Sequence, residues 1–212
     1  HMPNLVPRKI APEVKSQLQP PSEKEMLADP LFDSIIKGYC SNSNALSGKG
    51  KKNWNNWTAS LDSITKEYWD ARILECTGQG RRATTKYIQL ATTQKDSDKN
   101  WRFALWSIKK AVVWQRRNSQ RQQASINYKT LAEIWLEITA KPEDFGLEEA
   151  ELAREKANDL LWAARYRALI GKYDEALAYS ETALEVAQKG IASINSSTKR
   201  KVKNDLIEYR VE

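Results

Sequence analysis

Histidine is all but missing from this sequence. The one among 212 residues is His1, and His1-Met2 reads as a vector scar left after tag removal. A native chain without imidazole has no Ser-His or Cys-His nucleophile pair, and it lacks the commonest ligand of catalytic zinc. Cysteine is scarce too. Cys40 and Cys76 are the only two, which suits a reducing compartment with both as buried thiols, a disulfide between them being the alternative. The longest apolar runs are a few residues, so no membrane-spanning segment and no signal peptide is expected. These absences together predict a cytoplasmic protein with no membrane partner.

Helix breakers are the next shortage. There are eight Gly and seven Pro, and five of the Pro fall before Ser22. Residues 1–30 therefore read as a flexible, proline-containing arm. Beyond it, stretches rich in Ala, Leu, Lys, Glu, Gln and Arg favour helix, and no series of alternating segments joined by hairpin turns is present. The expectation is an all-α fold, a bundle of about eight helices, divided into a basic helical domain (31–127) and an acidic helical-hairpin region (128–212). A short helix is expected at "LFDSIIKGYC" (31–40), and a linker at "SNSNALSGKGKKNWNN" (41–56). Thr58 or Ser60 is the expected cap of a helix whose inner face carries Leu61, Ile64, Tyr68, Ala71 and Leu74. Ser97 or Asp98 is the expected cap of a helix over 99–121, and a turn is expected from Pro142 to Gly146.

Charge is unevenly spread. The net +7 contains a segment, 99–132, with eight basic residues and no acid, followed by 133–195 with seven basic and thirteen acidic. The segment opens on "KNWRFALWSIKKAVVWQRRNSQRQQ", cationic and aromatic at once. On a helical wheel, Trp101, Ala104, Leu105, Ile108, Ala111 and Val112 form an apolar stripe. Lys99, Arg102, Lys109, Lys110, Arg116, Arg117 and Arg121 fall opposite, with Trp106 and Val113 among them and Phe103 and Trp114 on the border. A face of this kind suits phosphate contact combined with stacking on an aromatic ring. Packing against the acidic C-terminal region is the structural alternative, and an anionic membrane surface is a third. Two further patches lean toward phosphate: "GKGKKNW", with Lys49, Lys51 and Lys52, and "GQGRRATTKY", with Arg81, Arg82 and Lys86 at an expected helix start. "SGKGKK" lacks the spacing of a nucleotide-binding loop.

Residues 164–188, "ARYRALIGKYDEALAYSETALEVAQ", resemble a tetratricopeptide repeat. Gly171 and Tyr173 match at the turn, Ala176 on the second helix, and Ala183-Leu184 seven residues on. The pattern departs at Leu160, Arg167, Ser180 and Gln188, where that family has Trp, Tyr, a large aromatic and Pro. The resemblance implies two closely packed antiparallel helices and a surface for a protein partner. A single such hairpin makes no solenoid, since about three repeats are needed, and an ordinary αα-hairpin is the plain reading. No carboxylate pair or cluster in the sequence reads as catalytic or metal-binding, so no enzyme activity and no cofactor is expected. The sequence thus points to a helical protein that contacts the DNA or RNA backbone. The candidate residues are Lys51, Lys52, Arg81, Arg82, Arg102, Trp106, Lys109, Lys110, Arg116, Arg117 and Arg121. A protein partner or self-association would use the acidic region, and the alternative is a protein-interaction adaptor that binds no nucleic acid.

Overall fold

The computed structural model describes residues 49–95, 101–138 and 140–211. Among them are eight α-helices and one 3-10 turn, with no strand. The helices are α1 (Lys49–Ala59), α2 (Ser63–Cys76), α3 (Gly80–Gln94), α4 (Trp101–Arg117), α5 (Arg121–Glu137), α6 (Glu149–Leu169), α7 (Tyr173–Ala192) and α8 (Arg200–Val211). The all-α expectation holds. The helix expected at 31–40, the N-terminal arm and the caps expected at Ser97 and Asp98 lie outside the described residues.

Two local readings change. The second half of the expected linker is helical: α1 buries Trp54 and Thr58, one turn apart, and the Trp54 indole meets Trp69 edge-on at 6.5 Å. Linker composition yields there to the burial of a large aromatic side chain. The cap of α2 is Asp62 rather than Thr58 or Ser60. Its carboxylate accepts hydrogen bonds from the backbone N–H groups of Ile64 and Thr65, while the Thr58 hydroxyl turns back to the Trp54 carbonyl at 3.0 Å. Pro142–Phe145 forms the expected turn, as a 3-10 helix closed by Gly146 at φ 63.

Each helix from α2 onward packs on the next, and α2 also meets α4 as α6 meets α8. Hydrogen bonds from side chains fix the levels. Tyr87 donates to Glu75 at 2.7 Å across α2 and α3. Asn127 donates to Gln115 at 3.0 Å across α4 and α5, and Ser125 donates to the Tyr166 carbonyl at 3.1 Å across α5 and α6. The core is continuous from Trp54 to Ala183, and the boundary expected at 127/128 falls inside α5. A smaller cluster of Ala150, Ala157, Ala187, Val202 and Leu206 seats α8. Small residues let α6 and α7 approach closely: Ala183 and Ala187 are fully buried, and a methyl group at Gly190 would come within 2.6 Å of the Ala153 Cβ. Gly171, at φ 80, makes the turn between them.

Cys76 is disulfide-bonded and not a free thiol, which corrects the expectation of a buried thiol. Cys40 lies outside the described residues. The inference of a reducing compartment thereby loses its support from cysteine. No helix among the described residues is long and apolar enough to cross a membrane.

Candidate nucleic-acid interface

α4 has more neighbours than its wheel suggests. With α3, α5 and α2 around it, it buries Leu105, Ile108 and Val112 as expected, and also Trp106, Ser107 and Gln115. Trp106, placed by the wheel within the basic arc, is only 2% exposed. Its ring lies against Phe103 at 5.4 Å and Tyr68 at 5.9 Å. The expectation that it offers a face to a base is therefore corrected: α2 covers that side of α4, which the periodicity of α4 alone does not reveal.

Lys109 is corrected in the same way. Its ammonium pairs with Glu155 at 2.8 Å and Asp159 at 3.2 Å, both on α6. Arg154 joins Glu155 at 3.0 Å and Asp205 of α8 at 3.5 Å, and the Trp135 indole N–H donates to Asp159 at 2.8 Å. Burial pulls the Lys109 pKa down, but the Asp159 and Glu155 carboxylates outweigh it and hold the ammonium above its ordinary value. Lys109 beside Glu155 keeps that carboxyl below its ordinary value. Asp159 lies deeper, and burial pushes it up against the pull of Lys109. At this point the basic helix packs on the acidic region, which was the structural alternative for the arc.

Other candidates are partly engaged. Arg102 donates to the Asp144 carbonyl at 3.0 Å. The Arg116 guanidinium lies 4.0 Å from the centre of the Trp162 ring and donates to the Tyr128 hydroxyl at 3.3 Å. Burial pushes the Tyr128 phenol up to about 12, with Arg116 opposing. Arg165, which is not among the candidates drawn from the sequence, also lies over Trp162, at 4.9 Å; their i, i+3 spacing on one helix was the available signal. A cleft of about 190 Å³ separates α4, α5 and α6, with Lys109 and Asp159 at one end and Arg116 and Trp162 at the other. Lys110 is half-buried, Lys52 is exposed, and the Lys51 side chain is outside the described set.

What the fold brings together is the set at the helix ends. α3 begins at Gly80 directly against the Trp114 indole, where a methyl group would collide with the ring. Arg81 and Arg82, in the first turn of α3, therefore sit beside the last turn of α4. α4 ends at Arg117 and α5 begins at Arg121 after a short turn through Ser119 at φ 57. Arg81, Arg82, Arg117 and Arg121 are all exposed. Neither α3 nor α5 has an acid in its first turn or a side-chain cap. Two helix N-termini, with their partial positive charge and free N–H groups, thus open at the same end of the bundle as the four arginines. Arg82 donates to Gln79 at 2.6 Å, a neutral partner that leaves its charge uncompensated.

Among the described residues, no group of three or more His, Cys, Asp or Glu is placed to hold a metal ion. Comparison with models of known families, with curated proteins and with solved structures finds no match to this chain.

Proposed function

We propose that the protein binds the sugar-phosphate backbone of nucleic acid through the end of the bundle where α3 begins, α4 ends and α5 begins. The observation that carries this is that Arg81, Arg82, Arg117 and Arg121, from two separate stretches of the sequence, are exposed at the end of the bundle where two uncapped helices begin. Arginine forks and helix N-termini both suit phosphate oxygens. The surface needs no base contact, so its affinity comes largely from release of condensed counterions. Lys109 and Trp106 have no part in it, one being paired and the other covered. Lys52 and Lys110 would extend the field and not form its centre.

The test is fluorescence anisotropy with labelled single- and double-stranded oligonucleotides across a salt series. The variant R81Q/R82Q/R117Q/R121Q should keep its fold, since surface changes usually stay within ~0.5 kcal/mol each. Its slope of log K against log salt on duplex DNA should flatten by about 0.9 for each phosphate that the variant no longer neutralises. Wild-type protein that binds neither oligonucleotide at low salt, or a variant with an unchanged slope, would sink the reading.

A further inference from the structure

α7 carries large apolar side chains that nothing among the described residues covers. Tyr173 is 70% exposed, Leu177 60% and Leu184 37%. At about 100° per residue the three fall within roughly 40° of one another, so they form one stripe. Leu169, the last residue of α6, and Ile170, in the turn before α7, are also exposed. The direction of the stripe follows from Glu175, which lies about 160–180° around the helix from these residues. Glu175 pairs with Arg167 and with Lys129 of α5, so its side of α7 is the one toward α5. The stripe lies on the opposite flank of α7, to the other side of the buried row Ala176, Ala183 and Ala187.

A row of carboxylates runs beside the stripe: Asp174, Glu181 and Glu185, all exposed. Glu185 shares its charge with Lys189 at 3.8 Å. The first two have no ion pair among the described residues. This combination selects an occupant. An antiparallel two-fold contact between copies would set one acidic row against the other within a Debye length, which is unfavourable. The basic face of α3 in a second copy has the right charge but offers Arg81, Arg82, Thr85, Lys86 and Gln89, with no large apolar side chain to meet the stripe. We propose that this face of α7 docks an amphipathic helix of another protein, one whose apolar stripe is flanked by Lys or Arg. The proposal shares no residue with the phosphate-binding end and stands or falls separately from it.

Two labelled peptides of about 20 residues, ~30 Å of helix, serve as probes. One has Leu at alternating third and fourth positions with Lys between; in the other Glu replaces Lys. The Lys peptide should bind wild-type protein at physiological salt, and Leu177→Ser should weaken it about tenfold, as loss of an apolar anchor does. The charge-reversed variant E181K/E185K should instead prefer the Glu peptide. Both variants should keep the wild-type helix content by circular dichroism. The proposal is overturned by any of three results. The Lys peptide binds wild type and Leu177→Ser alike, or not at all; charge reversal fails to exchange the preference; or sedimentation shows a wild-type dimer that Leu177→Ser dissociates, which would place a second copy on the stripe.

Discussion

Lys109 is the residue on which the basic and acidic halves meet. Two carboxylates within 3.2 Å satisfy its ammonium, and removing it leaves both of them buried. Lys109→Met should therefore destabilise the fold by ~3–5 kcal/mol, because an uncompensated buried charge is costly. Urea denaturation measures this, and a loss below about 1 kcal/mol would show the pair to be no better than a surface bridge. A second expectation comes from titration at alkaline pH. Tyr128, ordinarily near 10.0, is pushed up to about 12, and Lys109 is also raised. A group with a raised folded-state pKa contributes stability that is present below its unfolded pKa and is lost as pH rises through the folded one. Stability should thus fall from about pH 10 upward, and Tyr128→Phe should lessen the fall. Chemical denaturation at a series of pH values reads both.

At the scale of elements, α6 and α7 show how small residues set a distance. Ala183 is fully buried between them, and Gly190 leaves no room for a methyl group. Ala183→Leu should overpack this contact at a cost of ~1–3 kcal/mol, read as a lower melting temperature, whereas Leu177→Ser on the outer face should leave it unchanged. Equal effects would mean that the two faces of α7 are not assigned correctly. α4 illustrates the opposite difficulty. Its sequence shows one apolar stripe, yet three neighbouring helices bury more of it than the stripe accounts for. Amphipathicity reports the minimum buried face of a helix, not the maximum.

For the whole molecule, the continuous core from Trp54 to Ala183 predicts cooperative behaviour. Fragments divided at 127/128 would each expose surfaces that α5 covers in the intact chain, where its Trp135 and Leu131 are buried. Neither fragment should show the helix content of its part of the whole by circular dichroism. Two fragments that each fold and melt cooperatively would show that the halves are independent units.

The sequence alone determined the helical class, because apolar spacing near 3.6 and the shortage of Gly and Pro leave few other solutions. It also determined the charge division, which is composition. A helix start near Arg81 and Arg82 was legible from local pattern as well, though α3 begins slightly earlier, at Gly80; the turn at Gly171 and the small residues Ala176 and Ala183 came with the repeat resemblance. Asp62 as a cap and α1 as a helix were readable in principle, but polar composition outweighed the i, i+4 pair Trp54 and Thr58. The partners of a basic residue were decided only in three dimensions. Arg117 and Lys109 are eight residues apart on one helix and look alike in sequence, yet one is exposed and the other is held by a carboxylate pair. The physical reason is that a helix fixes the direction of each side chain, while the neighbouring helices decide what lies in that direction.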